Sequence, residues 1–109
     1  MQVTVTDDQF RLYYAAFYGD VNMMDNLRLL GWNVNGQDYD GRTALGLAAS
    51  QGNLEAVKYL VSKGADLSIK DARGNDPLAD ATRENRLSTI QYLSSIINES
   101  LIKDFCSGY

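Results

Sequence analysis

The sequence predicts an all-α solenoid: three helix-turn-helix repeats, joined by hairpin loops and stacked along one axis. The 109 residues match themselves at a step of 33, so that Asp38 falls on Asp71, Gly41 on Gly74 and Leu45 on Leu78. Ala48 likewise falls on Ala81, Val57 on Ile90 and Leu60 on Leu93. Run backwards, the step carries Ala48-Ala49 to Ala15-Ala16, Gly52 to Gly19, Leu60 to Leu27 and Gly64 to Gly31. Within each unit, two short runs of apolar residues at helical spacing are separated by glycine and Asx turn signals. A chain of this length makes one domain, residues 1–109. It divides into repeats at about 6–36, 37–69 and 70–98, with a tail at 99–109.

In the first repeat, Thr6-Asp7-Asp8-Gln9 has capping-box spacing and opens a helix without a preceding hairpin. That helix runs through Phe10, Leu12, Tyr13, Ala15 and Ala16 to Gly19. In the middle repeat, Asp38-Tyr39-Asp40-Gly41-Arg42 is turn chemistry, with Gly41 suited to a positive φ. Thr43 stands where an N-cap hydroxyl is wanted, and Leu45, Ala48 and Ala49 share one face of the helix that follows. Gly52 closes this helix in a left-handed cap, and Asn53 begins the next, whose Leu54, Val57, Leu60 and Val61 form a stripe. Lys63-Gly64-Ala65-Asp66 ends it. In the third repeat, Arg83, Glu84, Asn85 and Arg86 supply the charge expected of a terminal unit, before a helix through Ile90, Leu93, Ile96 and Ile97. The tail Leu101-Ile102-Lys103-Asp104-Phe105 is partly apolar, which suits a folded-back turn or a frayed end.

These motifs resemble the ankyrin repeat. The resemblance rests on Asp38-Tyr39-Asp40-Gly41-Arg42-Thr43-Ala44-Leu45, Ala48-Ala49-Ser50-Gln51-Gly52-Asn53 and Val57 to Asp66, and it covers roughly residues 7 to 97. The family's Thr-Pro-Leu-His tetrapeptide reads Thr43-Ala44-Leu45-Gly46 here and Asp76-Pro77-Leu78-Ala79 one repeat later. The sole proline therefore sits where the family places one, and the family's histidine is missing from both units. The resemblance implies that its loss weakens the rigidity between repeats without changing the fold.

Composition narrows the chemistry. There is no histidine, which removes Ser–His and Cys–His nucleophile systems and histidine-ligated metal or haem. The one cysteine, Cys106, lacks an internal disulfide partner, and an intracellular, reducing setting is the simpler reading. The formal net charge is −4 and the ten basic residues are scattered, against a nucleic-acid surface. No apolar run approaches the ~20 residues of a membrane span, and no secretory leader is visible at Met1 to Asp8. Asp7-Asp8, Asp38 with Asp40, and Asp76 with Asp80 are assigned to caps, hairpins and helix starts, not to acid–base pairs. Gly41 to Gly46 is followed by no Gly-Lys-Ser/Thr, and Asp38-x-Asp40 lacks the other ligands of a calcium loop. The expectation is a non-catalytic chain with no cofactor, no metal and no small-molecule substrate, acting on a protein partner or on itself.

The repeat register and the resemblance together say where that partner would sit, on the face formed by hairpin tips and first helices. The positions are Phe17 and Tyr18 in the first repeat and Tyr39, Asp40, Arg42, Ser50 and Gln51 in the second. In the third they are Ala72, Arg73, Asn75, Arg83 and Glu84. Phe17, Tyr18 and Tyr39 are expected to cluster at one end with arginines beside them, a pairing of residue types that often carries interface energy. The plainer alternative is that Phe17 packs on the next hairpin.

A narrower resemblance concerns the first two repeats. Ala15-Ala16-Phe17-Tyr18-Gly19-Asp20-Val21 and Gln37 to Leu45 are similar to the C-terminal ankyrin modules of animal-type glutaminases, and ankyrin-tailed type I asparaginases look similar too. Lys70 to Ala81 also suits the glutaminase modules. This resemblance implies the tail of an amidohydrolase, whose catalytic serine and lysine lie elsewhere, serving assembly, regulation or partner recruitment. It implies a mitochondrial location in that case and a cytoplasmic one otherwise. A stand-alone adaptor or inhibitor is the alternative. Val34-Asn35 matches the family's Val-Asn, where some members are hydroxylated on asparagine, so Asn35 is a modification candidate; a hydrogen-bonding turn role beside Gly36 competes with it.

Overall fold

The computed structural model describes residues 7–107, with side chains over 9–98. Six helices follow one another among these residues: α1 (Asp7–Tyr18), α2 (Val21–Leu29), α3 (Ala44–Gln51), α4 (Leu54–Ser62), α5 (Pro77–Arg83) and α6 (Leu87–Ser107). They fold as three hairpinned pairs. Helices α1, α3 and α5 pack side by side in an inner layer, and α2, α4 and α6 form the outer one. The Thr6 capping box and the side chain of Cys106 lie outside the described residues. The tail is neither a separate turn nor folded back: the backbone of α6 runs on through it to Ser107.

Local chemistry accounts for most helix ends. The Gly46 amide donates to Thr43 Oγ1 at 3.1 Å, the Met23 amide to Asp20 Oδ1 at 3.1 Å and the Ala79 amide to Asp76 Oδ1 at 2.8 Å, with Pro77 at the first helical position. Gly52 ends α3 at φ 71°, and the same register in the third repeat holds Asn85 at φ 58°, the one non-glycine residue in that region among the described residues. Asn53 begins α4, as expected. It occupies the N-cap position of α4 but makes no cap bond; its Nδ2 instead donates to the carbonyls of Ala16 at 3.1 Å and Phe17 at 2.6 Å. The end of the first inner helix is thereby tied to the start of the second outer one.

The core follows the 33-residue step. Leu12, Leu45, Ala15, Ala48, Ala81, Leu27, Leu60 and Leu93 are all buried. Alanine at the inner-helix contacts lets the backbones approach, and the leucines fill the space between layers. The hairpins repeat as well. Asp38 Oδ1 accepts the amides of Asp40 and Arg42 at 2.9 and 2.8 Å, and Asp71 Oδ1 accepts those of Arg73 and Asn75 at 2.9 and 3.0 Å. Successive hairpins are linked without histidine: the Ala72 amide donates to the Asp40 carbonyl at 2.9 Å, and Gln37 Nε2 to the carbonyls of Gly41 and Lys70 at 2.8 and 3.2 Å.

Candidate partner-binding surface

The helical spacing of Phe10, Tyr14, Phe17 and Tyr18 puts four aromatic rings on the solvent side of α1, because Leu12, Tyr13, Ala15 and Ala16 take the buried side. Tyr14 and Tyr18 are each about two-thirds exposed, at 68% and 64%. Their rings lie 4.6 Å apart, and Phe17 meets Tyr18 edge-on at 5.0 Å. Leu47 of α3 forms the far wall, and Asp38 and Arg42 close the end, bounding a groove of about 400 Å³.

A second hollow of about 150 Å³ adjoins it. Arg42 lines both; Arg73, Arg83, Asp40, Asp71 and Ala72 complete the second. Arg42 reaches Asp38 at 3.2 Å and Asp40 at 3.3 Å, and Arg83 reaches Asp80 at 3.1 Å and Glu84 at 3.3 Å. Arg73 is exposed and makes no ion pair among the described residues. Behind the hollow, Asp80 is buried between α5 and α3, its Oδ2 facing Gly46. Burial pushes its carboxyl up to about 6, with Asp71 and Asp76 adding to the rise and Arg83 opposing it.

Phe17, Tyr18, Tyr39, Asp40, Arg42, Arg73, Arg83 and Glu84 are all exposed, and Gln51 and Asn75 are half-buried. Ser50 is not on the surface: it is buried, with its Oγ donating to the Leu47 carbonyl at 2.9 Å within α3. Tyr39 does not join Phe17 and Tyr18. It pairs with Phe10 at 6.4 Å, at the opposite end of α1. The sequence reading missed Phe10, Tyr14 and Leu47, although the 10, 14, 17, 18 spacing and the step from Tyr14 to Leu47 were both present in it. Asn35 is half-buried; its Oδ1 accepts the Asp66 amide at 2.7 Å and its Nδ2 donates to the Gly64 carbonyl at 3.4 Å, bridging two repeats.

No helix among the described residues is long and apolar enough to cross a membrane, and no three metal-ligating side chains converge there. Hairpinned helix pairs in two layers, with tied loops along one edge, define a helical-repeat scaffold for protein–protein interaction. The family model described as "Ankyrin repeats (3 copies)" matches residues 12–103, and the chain belongs to that family. It is 35% identical over 94 residues to mouse "Glutaminase liver isoform, mitochondrial", covering 85% of this chain and 16% of that protein. It is 37% identical over 84 residues to "L-asparaginase" of Dirofilaria immitis, covering 77% and 14%. "Potassium channel GORK" of Arabidopsis thaliana is 39% identical over 80 residues, covering 73% and 10%. The chain thus spans about a sixth or less of the length of these relatives.

Proposed function

We propose that this chain is a non-catalytic interaction module that docks a segment of a partner protein along its inner-helix face, with the aromatic groove of α1 as the anchor site. The observation that carries this reading is the groove itself. Four aromatic side chains are held open to solvent by a helix whose other side is fully packed, and aromatic pockets of this kind concentrate interface energy. The similarity to a mitochondrial glutaminase and to an L-asparaginase supports placing the module within a larger amidohydrolase, serving assembly or partner recruitment. A stand-alone adaptor is the competing architecture, and the length of the native reading frame separates the two.

Selection of a random twelve-residue peptide library on the immobilised protein tests the docking face. Peptides with an aromatic or aliphatic anchor are expected to enrich, and Tyr14→Ala is expected to weaken their binding about tenfold or more with the helical circular dichroism unchanged. Enriched peptides that bind wild type and Tyr14→Ala alike would place the interaction elsewhere and remove the reading.

A further inference from the structure

The 33-residue step allows the inner face to be read in rows. One row is Tyr14, Leu47, Asp80; the next is Phe17, Ser50, Arg83; the third is Tyr18, Gln51, Glu84. Each begins on an aromatic residue in the first repeat, and two of the three end on an exposed charge in the third. The scaffold is uniform, but its face is polar at one end and aromatic at the other. Any segment lying across all three inner helices meets both.

Two carboxylates line the arginine hollow: Asp40 is exposed and pairs with Arg42 at 3.3 Å, and Asp71 is committed to the fold. Asp38 and Asp71 each accept two hairpin amides, and Asp80 is buried. The guanidinium groups are less committed. Arg73 has no ion-pair partner among the described residues, and Arg42 and Arg83 use only part of their five-donor forks on carboxylates. Arg42 lines both the hollow and the aromatic groove. A space of about 150 Å³ is roughly that of five waters, which is room for a carboxylate.

Resting on the docking reading above, we infer that the partner segment carries an acidic residue that enters the hollow between Arg42, Arg73 and Arg83 while its apolar anchor fills the groove of α1. The spacing follows from geometry. Neighbouring helices pack about 8–10 Å apart, and the hollow between the second and third repeats lies one such step from the groove between the first and second. An extended chain advances about 3.3 Å per residue, which sets the acidic residue roughly three positions from the anchor. The segment also has one direction on the face, because only one end of the solenoid is aromatic.

The same peptide library supplies the test. Selection on wild type is expected to enrich Asp or Glu about three positions from the aromatic or aliphatic anchor. For a synthetic peptide so obtained, replacing the acid by its amide is expected to weaken binding about tenfold by fluorescence anisotropy. Arg73→Glu is expected to do the same to the acidic peptide while leaving the amide peptide within about twofold. Enrichment of Lys or Arg at that spacing, or of no charge, overturns the inference, and so does an unchanged affinity of Arg73→Glu for the acidic peptide. Loss of binding in Tyr14→Ala alongside those results leaves the docking face standing without the acid. Indifference to Tyr14→Ala removes the docking face itself.

Discussion

Replacing Asp80 by asparagine removes the one described carboxyl that the fold holds well above its ordinary range. Asp80 is 5% exposed; its Oδ1 lies 3.1 Å from Arg83 Nη1, and its Oδ2 stands 3.0 Å from where a Cβ on Gly46 would be. Burial raises its pKa from 3.8 to about 6, because the pair with the half-exposed Arg83 does not offset the lost hydration. The folded value is the higher one, so the protonated form is the one the fold prefers. Its stabilising contribution is full below pH 3.8 and is lost as the pH rises through 6. At 1.36 kcal/mol per pH unit the full span is about 3 kcal/mol, of which about 1 kcal/mol is gained between pH 7 and pH 5. Asparagine keeps the shape and does not titrate. The assay is urea unfolding of wild type and Asp80→Asn, followed by circular dichroism at half-unit steps from pH 7.5 to 5. Taking the difference between the two proteins cancels the carboxyls that do not interact with Asp80, which leaves Asp80 with its neighbours Asp71 and Asp76. Wild type is expected to gain about 1 kcal/mol on the variant as the pH falls, a midpoint shift of about 0.3–1 M urea. Curves that run parallel across that range would refute the assignment of a desolvated carboxyl between α3 and α5.

Three further substitutions separate the parts of the scaffold. Gly46→Ala is expected to destabilise by about 1 kcal/mol in chemical denaturation, in place of the usual helix-propensity gain, because the new Cβ presses on Asp80 Oδ2. Thr89→Val is expected to stabilise by about 1 kcal/mol by the same measurement, since Thr89 Oγ1 is buried without a hydrogen-bond partner. Asn53→Ala removes both bonds to the Ala16 and Phe17 carbonyls; it is expected to cost about 1–2 kcal/mol and to speed amide hydrogen exchange in α1 more than in α5.

The fold was legible because several helix ends carry their own chemistry. Thr43, Asp76 and Gly52 act on neighbours within four residues, so their roles can be read along the chain. The misreadings came where a side chain's destination depends on packing. Ser50 shares a register with Phe17 and Arg83, but a hydroxymethyl group is too short to leave the helix surface and closes on the Leu47 carbonyl instead. Tyr39 stands on a hairpin tip that the fold brings beside the first turns of α1, so it meets Phe10 and not the far end of that helix. Asn53 begins α4 as expected, but the acceptors of its side chain lie 36 and 37 residues earlier, where local sequence does not point. Asp80 was grouped with Asp76 as helix-start chemistry, and only the approach of α3 shows that one caps while the other is buried.

The repeat also supplies an internal control for function. Leu12, Leu45 and Leu78 are the same residue at the same register, as are Ala15, Ala48 and Ala81, and Leu27, Leu60 and Leu93. Those positions answer to a packing requirement that recurs in every repeat. Tyr14, Leu47 and Asp80 stand two residues from the first of these sets, on the same kind of backbone, and differ completely. Packing between the layers did not force that difference, because the adjacent core is unchanged. The absent histidine belongs to the same contrast. Gly46 leaves the space that the buried carboxyl of Asp80 faces, while the hairpins are held by Ala72 to Asp40 and by Gln37 to Gly41 and Lys70. Hairpin order therefore has a source other than that histidine. The positions that vary from repeat to repeat are free to give one face an aromatic end and a charged end.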